Sequence, residues 1–215
     1  MKKTSKQTAL AIVAIVLGTV SIFSAAKAER VAEPPFTLIT RDGDFEIRDY
    51  QTQIVAEVNV RGNLSEASNR GFNPLAGYIF GGNAPRAKIA MTAPVTRQQG
   101  ERIAMTAPVT RQASGDAWKV RFIMPAGSTL ATMPRPNDPN VRLFEETGKR
   151  YAVLKFSGLG STNAFARKTS ELTAILTRRN LTPIGKPVFA SYDPPWTLPF
   201  MRRNEVWLEM NKPSL

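Results

Sequence analysis

The side chains that most often do chemistry are missing from this chain, which contains neither cysteine nor histidine. Without thiols there is no disulfide, no thiolate metal site and no covalent c-type haem attachment. Without imidazole there is no Ser-His-Asp or Cys-His nucleophile, no ordinary zinc enzyme and no His-ligated haem. What remains is Ser-Lys pairs, carboxylates, tyrosines and thioethers. Glu46, Asp49, Glu57, Tyr78 and Tyr151 could each serve as an acid or base, but no spacing sets two of them together so as to move a pKa. Met91 and Met105 occupy matching places in a direct repeat, which suggests paired thioethers. Methionine is also the usual filler of irregular cores. No catalytic constellation and no metal-ligand set is assigned, so the expectation is a chain without enzymatic activity of its own.

The repeat reads Ile89-Ala-Met-Thr-Ala-Pro-Val-Thr-Arg-Gln98 and returns at Ile103–Gln112. Two copies at so short a period cannot build a solenoid. Their β-branched residues suit two arms of a hairpin, with Pro94 and Pro108 kept to an edge, a bulge or a strand end. Around it, the Asp42-Gly43 turn predicts a hairpin between 36–40 and 45–50. Alternation from Ile54 to Val60 predicts a strand with one buried face. Asn63 with Glu66 forms a capping-box signature, so a helix starts there and ends at Gly81-Gly82-Asn83, with Pro74 expected to kink or split it.

A Pro-rich connection at 133–139 divides the chain, and the second half repeats the first in outline. Segments 141–146 and 151–156 read as strands, Ser161 or Thr162 caps a helix carrying Phe165, Leu172, Ile175 and Leu176, and 188–192 and 204–210 supply the last strands. The predicted class is α+β, with two pseudo-repeats (about 36–125 and 141–210) forming one domain over 29–215. Neither half can cover its own faces, so they are expected to share one antiparallel sheet or distorted barrel flanked by two helices.

The N-terminus carries Lys2, Lys3 and Lys6, an uncharged apolar run from Ala9 to Ala26, and Ala26-Lys27-Ala28. This is the signal-peptide pattern, with cleavage after Ala28 and a periplasmic or secreted destination. The run is long enough for the alternative, an uncleaved anchor tethering the chain to the inner membrane. Cleavage would lower the net charge of +12 to +8. The cations are scattered, and export argues against nucleic acid as a partner.

With these elements placed, the residues resemble a known family. Glu46–Tyr50 after the Asp-Gly turn, Leu75–Asn83, Met-Thr-Ala-Pro-Val, Trp118–Pro125, Tyr192-Asp-Pro-Pro-Trp196 and Arg202-Arg-Asn-Glu-Val206 follow one another as in the SOUL haem-binding proteins. The doubled Met-Thr-Ala-Pro-Val is similar to the bacterial and archaeal branch. The resemblance implies a pseudo-twofold distorted antiparallel β-barrel with two helices, the architecture of GyrI-like regulatory domains. It also implies non-covalent binding of haem or another tetrapyrrole in an apolar groove beside the first helix.

Haem needs a greasy slot rimmed by cations. Phe72, Leu75 and Ile79 could supply a wall with Tyr78 at its rim, while Arg70, Arg86 and Lys88 could meet propionates. Burying about 200 Å² of each macrocycle face would contribute roughly 10 kcal/mol before ordering costs, so no axial protein ligand is required. Met91 and Met105 are the thioethers within reach of such a site. A stripe such as Phe72, Leu75 and Ile79 equally suits plain core packing. Two further readings stand beside this one: a binder of another flat apolar molecule, and a hydrolase.

Overall fold

The computed structural model describes residues 31–84 and 100–212. The elements run β1 (Phe36–Asp42), β2 (Phe45–Tyr50), β3 (Gln53–Arg61), α1 (Leu64–Ile79), β4 (Asn83–Ala84), β5 (Val109–Ser114) and β6 (Ala117–Ile123). They continue with β7 (Arg135–Pro136), β8 (Arg142–Glu146), β9 (Arg150–Phe156), α2 (Thr162–Arg178), β10 (Pro183–Ser191) and β11 (Asn204–Met210). The signal-like segment, Arg86, Lys88, Met91 and the first Met-Thr-Ala-Pro-Val copy lie outside the described residues. Among the described residues no helix is long and apolar enough to cross a membrane.

Nine strands form one antiparallel sheet in the order β1-β2-β9-β11-β10-β5-β6-β3-β8, and β4 pairs separately with β7. The order is symmetric about the β10–β5 boundary. From it, β5, β6 and β3 of the first half run outward one way, and β10, β11 and β9 of the second half run the other. Each half then receives the leading strand of its counterpart: β2 lies on β9, and β8 lies on β3. This exchange makes the halves one cooperative unit, because neither can complete its sheet alone.

The expected barrel is not what forms. The sheet stays open, with β1 and β8 as its edges. β1 is mostly solvent-facing and β8 half-buried, and both edges carry charge, Arg41 and Asp42 on β1 and Arg142, Glu145 and Glu146 on β8. Charged side chains on a short edge are compatible with water and oppose further strand pairing.

The helix signals behave as read, with one difference. Asn63 Oδ1 accepts from Glu66 N at 3.0 Å while Asn63 N donates to Glu66 Oε2 at 3.3 Å, completing the capping box. Pro74 does not split α1, which runs continuously from Leu64 to Ile79. The missing N–H falls where the partner carbonyl belongs to exposed Arg70, and the turns on either side are anchored through Gly71 and Leu75. Gly71 allows that anchoring, since a Cβ there would lie 2.5 Å from Val120 Cγ2.

β5, which contains the end of the second copy, is hydrogen-bonded on one side to β6 and on the other to β10; the hairpin expected between the two copies falls on residues that include those outside the described ones. Pro108 sits immediately before β5, at a strand end.

α1 packs on β3 and β6 over a core of Ile54, Val58, Val60, Leu75, Ile79, Val120, Phe122 and Met124. α2 packs on β9, β10 and β11 over Leu154, Phe165, Leu172, Leu176, Val206 and Leu208. The opposite face of the second half holds Tyr50, Tyr151, Val153, Val188 and Trp207.

Candidate ligand-binding site

Two regions combine buried polar groups with aromatic side chains, one on each face of the sheet. On the face away from the helices, Arg48 is fully buried and saturated. Its Nη1 and Nη2 donate to Glu205 Oε2 and Oε1, both at 2.9 Å, its Nε donates to Glu46 Oε2 at 2.6 Å, and Nη1 also reaches Tyr50 Oη at 3.0 Å. Glu205 in turn accepts from Arg203, from Tyr192 Oη at 2.7 Å and from Trp207 Nε1 at 2.6 Å. Glu46 also accepts from Lys155 at 2.6 Å and Arg41 at 2.7 Å.

Burial alone would raise the Glu46 carboxyl, but the hydrogen bonds from Lys155 and Arg48 outweigh it and hold the pKa at about 2. The Glu205 carboxyl is lowered in the same way: burial opposes ionisation and Arg48 and Arg203 overcome it. Burial pushes the Tyr50 and Tyr192 phenols up. With each carboxylate occupied and the charges locked, the cluster holds strands together. It offers neither an acid nor a base working near neutrality.

The other acid–base candidates are occupied as well. Asp49 pairs bidentately with Arg150, both contacts at 2.7 Å, and Glu57 pairs with Arg121 at 2.7 Å. Burial raises the Tyr151 phenol. Arg203 and Glu205 pair, whereas Arg202 braces a loop by donating to Thr197 O at 2.7 Å and to Pro195 O.

On the helix face, the structure divides the sequence-predicted wall of α1 in two. Leu75 and Ile79 lie wholly inside the core over β3 and β6. Tyr78 is buried too, its hydroxyl donating to Pro134 O at 3.0 Å. Of the expected wall of Phe72, Leu75 and Ile79 with Tyr78 at its rim, Leu75, Ile79 and Tyr78 serve core packing among the described residues. Phe72 is different. It is 38% exposed and stands edge-on to Phe122, ring centroids 5.4 Å apart, on the flank of α1 that also carries Ser68 one turn earlier. Met105 is equally exposed and precedes β5; the adjoining Thr106 donates to Ile123 O at the end of β6. Arg70 is exposed on α1.

The flank of Ser68 and Phe72 faces β5, where Val109 is the register partner of Phe122 and Arg111 that of Val120. Arg111 was not singled out by sequence. It lies where β5 meets β10, opposite Phe189, in the seam between the two helices. Nη1 donates to Ser68 Oγ of α1 at 2.9 Å, Nη2 donates to Ser191 Oγ of β10 at 2.5 Å, and the guanidinium lies 5.3 Å above the Phe165 ring of α2. Among the described residues no carboxylate reaches it, and its buried Nε has no hydrogen-bond partner. Burial pushes its pKa down to about 10, so the charge persists at neutral pH. A buried cation with a spare donor and only hydroxyls around it is costly in the free protein, and an entering carboxylate would compensate that cost.

A model of the SOUL heme-binding protein family matches residues 31–209. The chain belongs to that family. It is 29% identical over 185 residues to heme-binding protein 2 of Mus musculus, covering 84% of this chain and 85% of that protein. It is 28% identical over 176 residues to heme-binding protein 2 of Homo sapiens, covering 80% and 81%. Among solved structures, the C-terminal domain of EcmrR superposes with a TM-score of 0.55 at 10% identity, covering 78% of this chain and 97% of that domain. A protein from Listeria innocua described as a hydrolase gives 0.52 at 12% identity, covering 80% and 94%. At such identities the structural likeness extends to the fold and not to activity.

Proposed function

We propose that this SOUL protein binds haem or a related tetrapyrrole non-covalently in the seam between α1 and α2, as an exported carrier or buffer without catalytic activity. Family membership across nearly the whole described chain carries the ligand class. The uncompensated Arg111 supports the position. Phe72 offers an aromatic edge to a macrocycle face and Arg111 a counter-charge for a propionate, with Arg70 on the exposed rim of the same helix. Histidine is absent, so affinity rests on solvent exclusion and charge pairing rather than an imidazole–iron bond. Export rests on the Lys2–Ala28 pattern, and mass measurement of protein from its host envelope would locate the mature N-terminus.

Absorbance titration tests the site. Phe72→Asp places a carboxylate against the macrocycle and should weaken haem binding at least about tenfold, a loss of roughly 1.4 kcal/mol. Met105→Ala should leave affinity and the Soret band nearly unchanged. A strong spectral shift in Met105→Ala with normal binding by Phe72→Asp would move the site away from the seam. Metal-free porphyrin should bind about as tightly as haem, and a large preference for haem would mean that iron finds a protein ligand. A planar apolar dye without carboxylates that outcompetes both would favour the alternative of another flat ligand.

Arg111→Met gives a second test with opposite effects on stability and binding. Removing an unpaired buried charge for a side chain of similar length should leave Tm equal or higher, while haem affinity falls about tenfold. Affinity for porphyrin dimethyl ester should not change. Lost stability with unaltered haem binding would make Arg111 a structural residue.

A further inference from the structure

The second copy of the ten-residue repeat supplies a central strand and part of the ligand seam. Ile103 N donates to Ile79 O at 2.9 Å and Ala107 N to Ala32 O at 2.8 Å, Thr106 Oγ1 donates to Ile123 O, and Gln112 Nε2 donates to Lys186 O at 2.9 Å. Arg111 is held by Ser68, Ser191 and the Phe165 ring. Each of these repeat residues has an identical counterpart fourteen positions earlier. Residues 95–98 carry the same four side chains, in the same order, as residues 109–112, which fill the place between β6 and β10. Register is set by the side chains a strand buries and by the turns at its ends. Interactions inside the repeat therefore cannot tell the copies apart, and the flanking residues must.

The flanks favour the second copy. Asn83 is buried and clasps the chain just before it: Nδ2 donates to Glu101 O at 2.8 Å, and Glu101 N donates to Asn83 Oδ1 at 2.9 Å. Beside that clasp, a Cβ on Gly100 would lie 1.7 Å from Gly81 O and 2.9 Å from Asn83 O, both backbone atoms. The residue at the corresponding place before the first copy is Arg86, whose side chain does not fit there. On the other side, β5 turns into β6 through Gly115, at φ +63°, and Asp116. After the first copy the place of Gly115 falls to Glu101, for which a left-handed backbone is strained. Both preferences rest on single glycines, while the interior of the strand is satisfied equally by either copy. Loop-closure entropy varies slowly with length, so moving fourteen residues from one end of β5 to the other adds little to the difference.

We propose that the β5 position has two registers: the resting one, with residues 109–112 between β6 and β10, and a minor one, slipped by fourteen residues, with residues 95–98 in their place and Arg97 in the seam. The slip lengthens the β5–β6 turn by fourteen residues and shortens the β4–β5 connection by the same number, while a cation stays against Ser68, Ser191 and Phe165. Because β5 is paired on both sides, the strand must leave the sheet for the copies to exchange, so interconversion proceeds through local opening. The Asn83 clasp and the Gly100 contact act as the lock on the resting register.

Disulfide trapping reads the register directly, since the full-length chain has no cysteine of its own. Gln112 and Lys119 are register partners, and facing residues of neighbouring strands stand at the separation a disulfide spans. Oxidised with diamide, Gln112→Cys/Lys119→Cys should close its disulfide in most molecules. Gln98→Cys/Lys119→Cys meets this geometry only in the slipped register. Gln99→Cys/Lys119→Cys meets it in neither, because position 99 then takes the place of Ala113, whose partner is Trp118. The Gln98 pair should form its intramolecular product, identified by mass, about tenfold faster than the Gln99 pair. Gly100→Ser penalises the resting register and Arg86→Gly relieves the slipped one, so either should speed the Gln98 pair about tenfold further and leave the Gln99 pair unchanged. Arg86→Gly alters no residue of the lock and decides the matter if Gly100→Ser does not fold. A Gln98 pair no faster than the Gln99 pair in the Arg86→Gly protein would overturn the proposal, as would a fast Gln98 pair that neither flank variant changes. No ligand takes part, so the outcome is separate from the haem assignment.

Discussion

Glu205→Ala should lower the unfolding free energy by about 3–5 kcal/mol, the usual cost of removing one member of a buried ion pair. The number follows from what is left behind. Arg48 is buried on β2 and loses both of its Glu205 contacts, while Arg203, Tyr192 and Trp207 lose their shared acceptor. Urea unfolding checks this. The exposed pair Arg61–Asp116, at 3.6 Å with both side chains more than four-fifths exposed, provides the contrast: Asp116→Ala should change stability by less than about 1 kcal/mol. Comparable small losses at both sites would mean that water compensates Arg48 after all. Replacing Arg48 and Glu205 together with apolar residues of similar size should recover much of the loss, because no charge is then stranded.

The same cluster sets an acid limit. Glu46 titrates near 2 in the folded state against 4.5 when unperturbed, and Glu205 is also lowered. A carboxyl with a depressed folded pKa contributes fully above its unfolded value, and that contribution disappears as pH falls through the folded value. This carboxylate contribution should therefore be constant from about 4.5 up to neutrality and decline between about 4.5 and about 2. The Glu205→Ala protein should show a shallower decline.

Phe165→Ala is expected to be similarly damaging, by about 3–5 kcal/mol. Phe165 has no exposure, stacks on Phe189 at 4.6 Å and meets Phe156 edge-on at 5.2 Å. Its removal leaves a void where α2 is fastened to the sheet and strips Arg111 of the ring beneath it. The variant should lose haem affinity even at temperatures where it remains folded. Leu172→Ala, equally buried on the same helix but away from the seam, should cost about 2–5 kcal/mol and leave affinity intact. If both lower binding alike, the loss reflects general loosening of α2 rather than the seam.

Local signals were readable where short-range chemistry decides them. The Asp42-Gly43 turn, the Asn63/Glu66 capping box and the Ser161 cap each involve atoms a few residues apart. The two half-chains with matching element order also implied one shared sheet. The apolar stripe of α1 was ambiguous for a physical reason: Leu75 and Ile79 would look the same lining a groove or sealing a core. Only the position of β3 and β6 against that face shows that they seal a core. Arg111 had no distinguishing neighbour in sequence, because its uncompensated charge depends on which side chains fail to reach it.

Composition and periodicity were by themselves enough to determine the class of fold, its two-part organisation and the absence of thiol and imidazole chemistry. They could not determine which strands would be exchanged between halves, because nothing local to β2 or β8 favours one set of partners over the other. Nor could they show that the sheet stays open or that Arg48 meets Glu205 across 157 positions. Those outcomes depend on long-range register and burial, where interaction strength is set by the solvent a group has lost, and that is a property of the assembled structure alone.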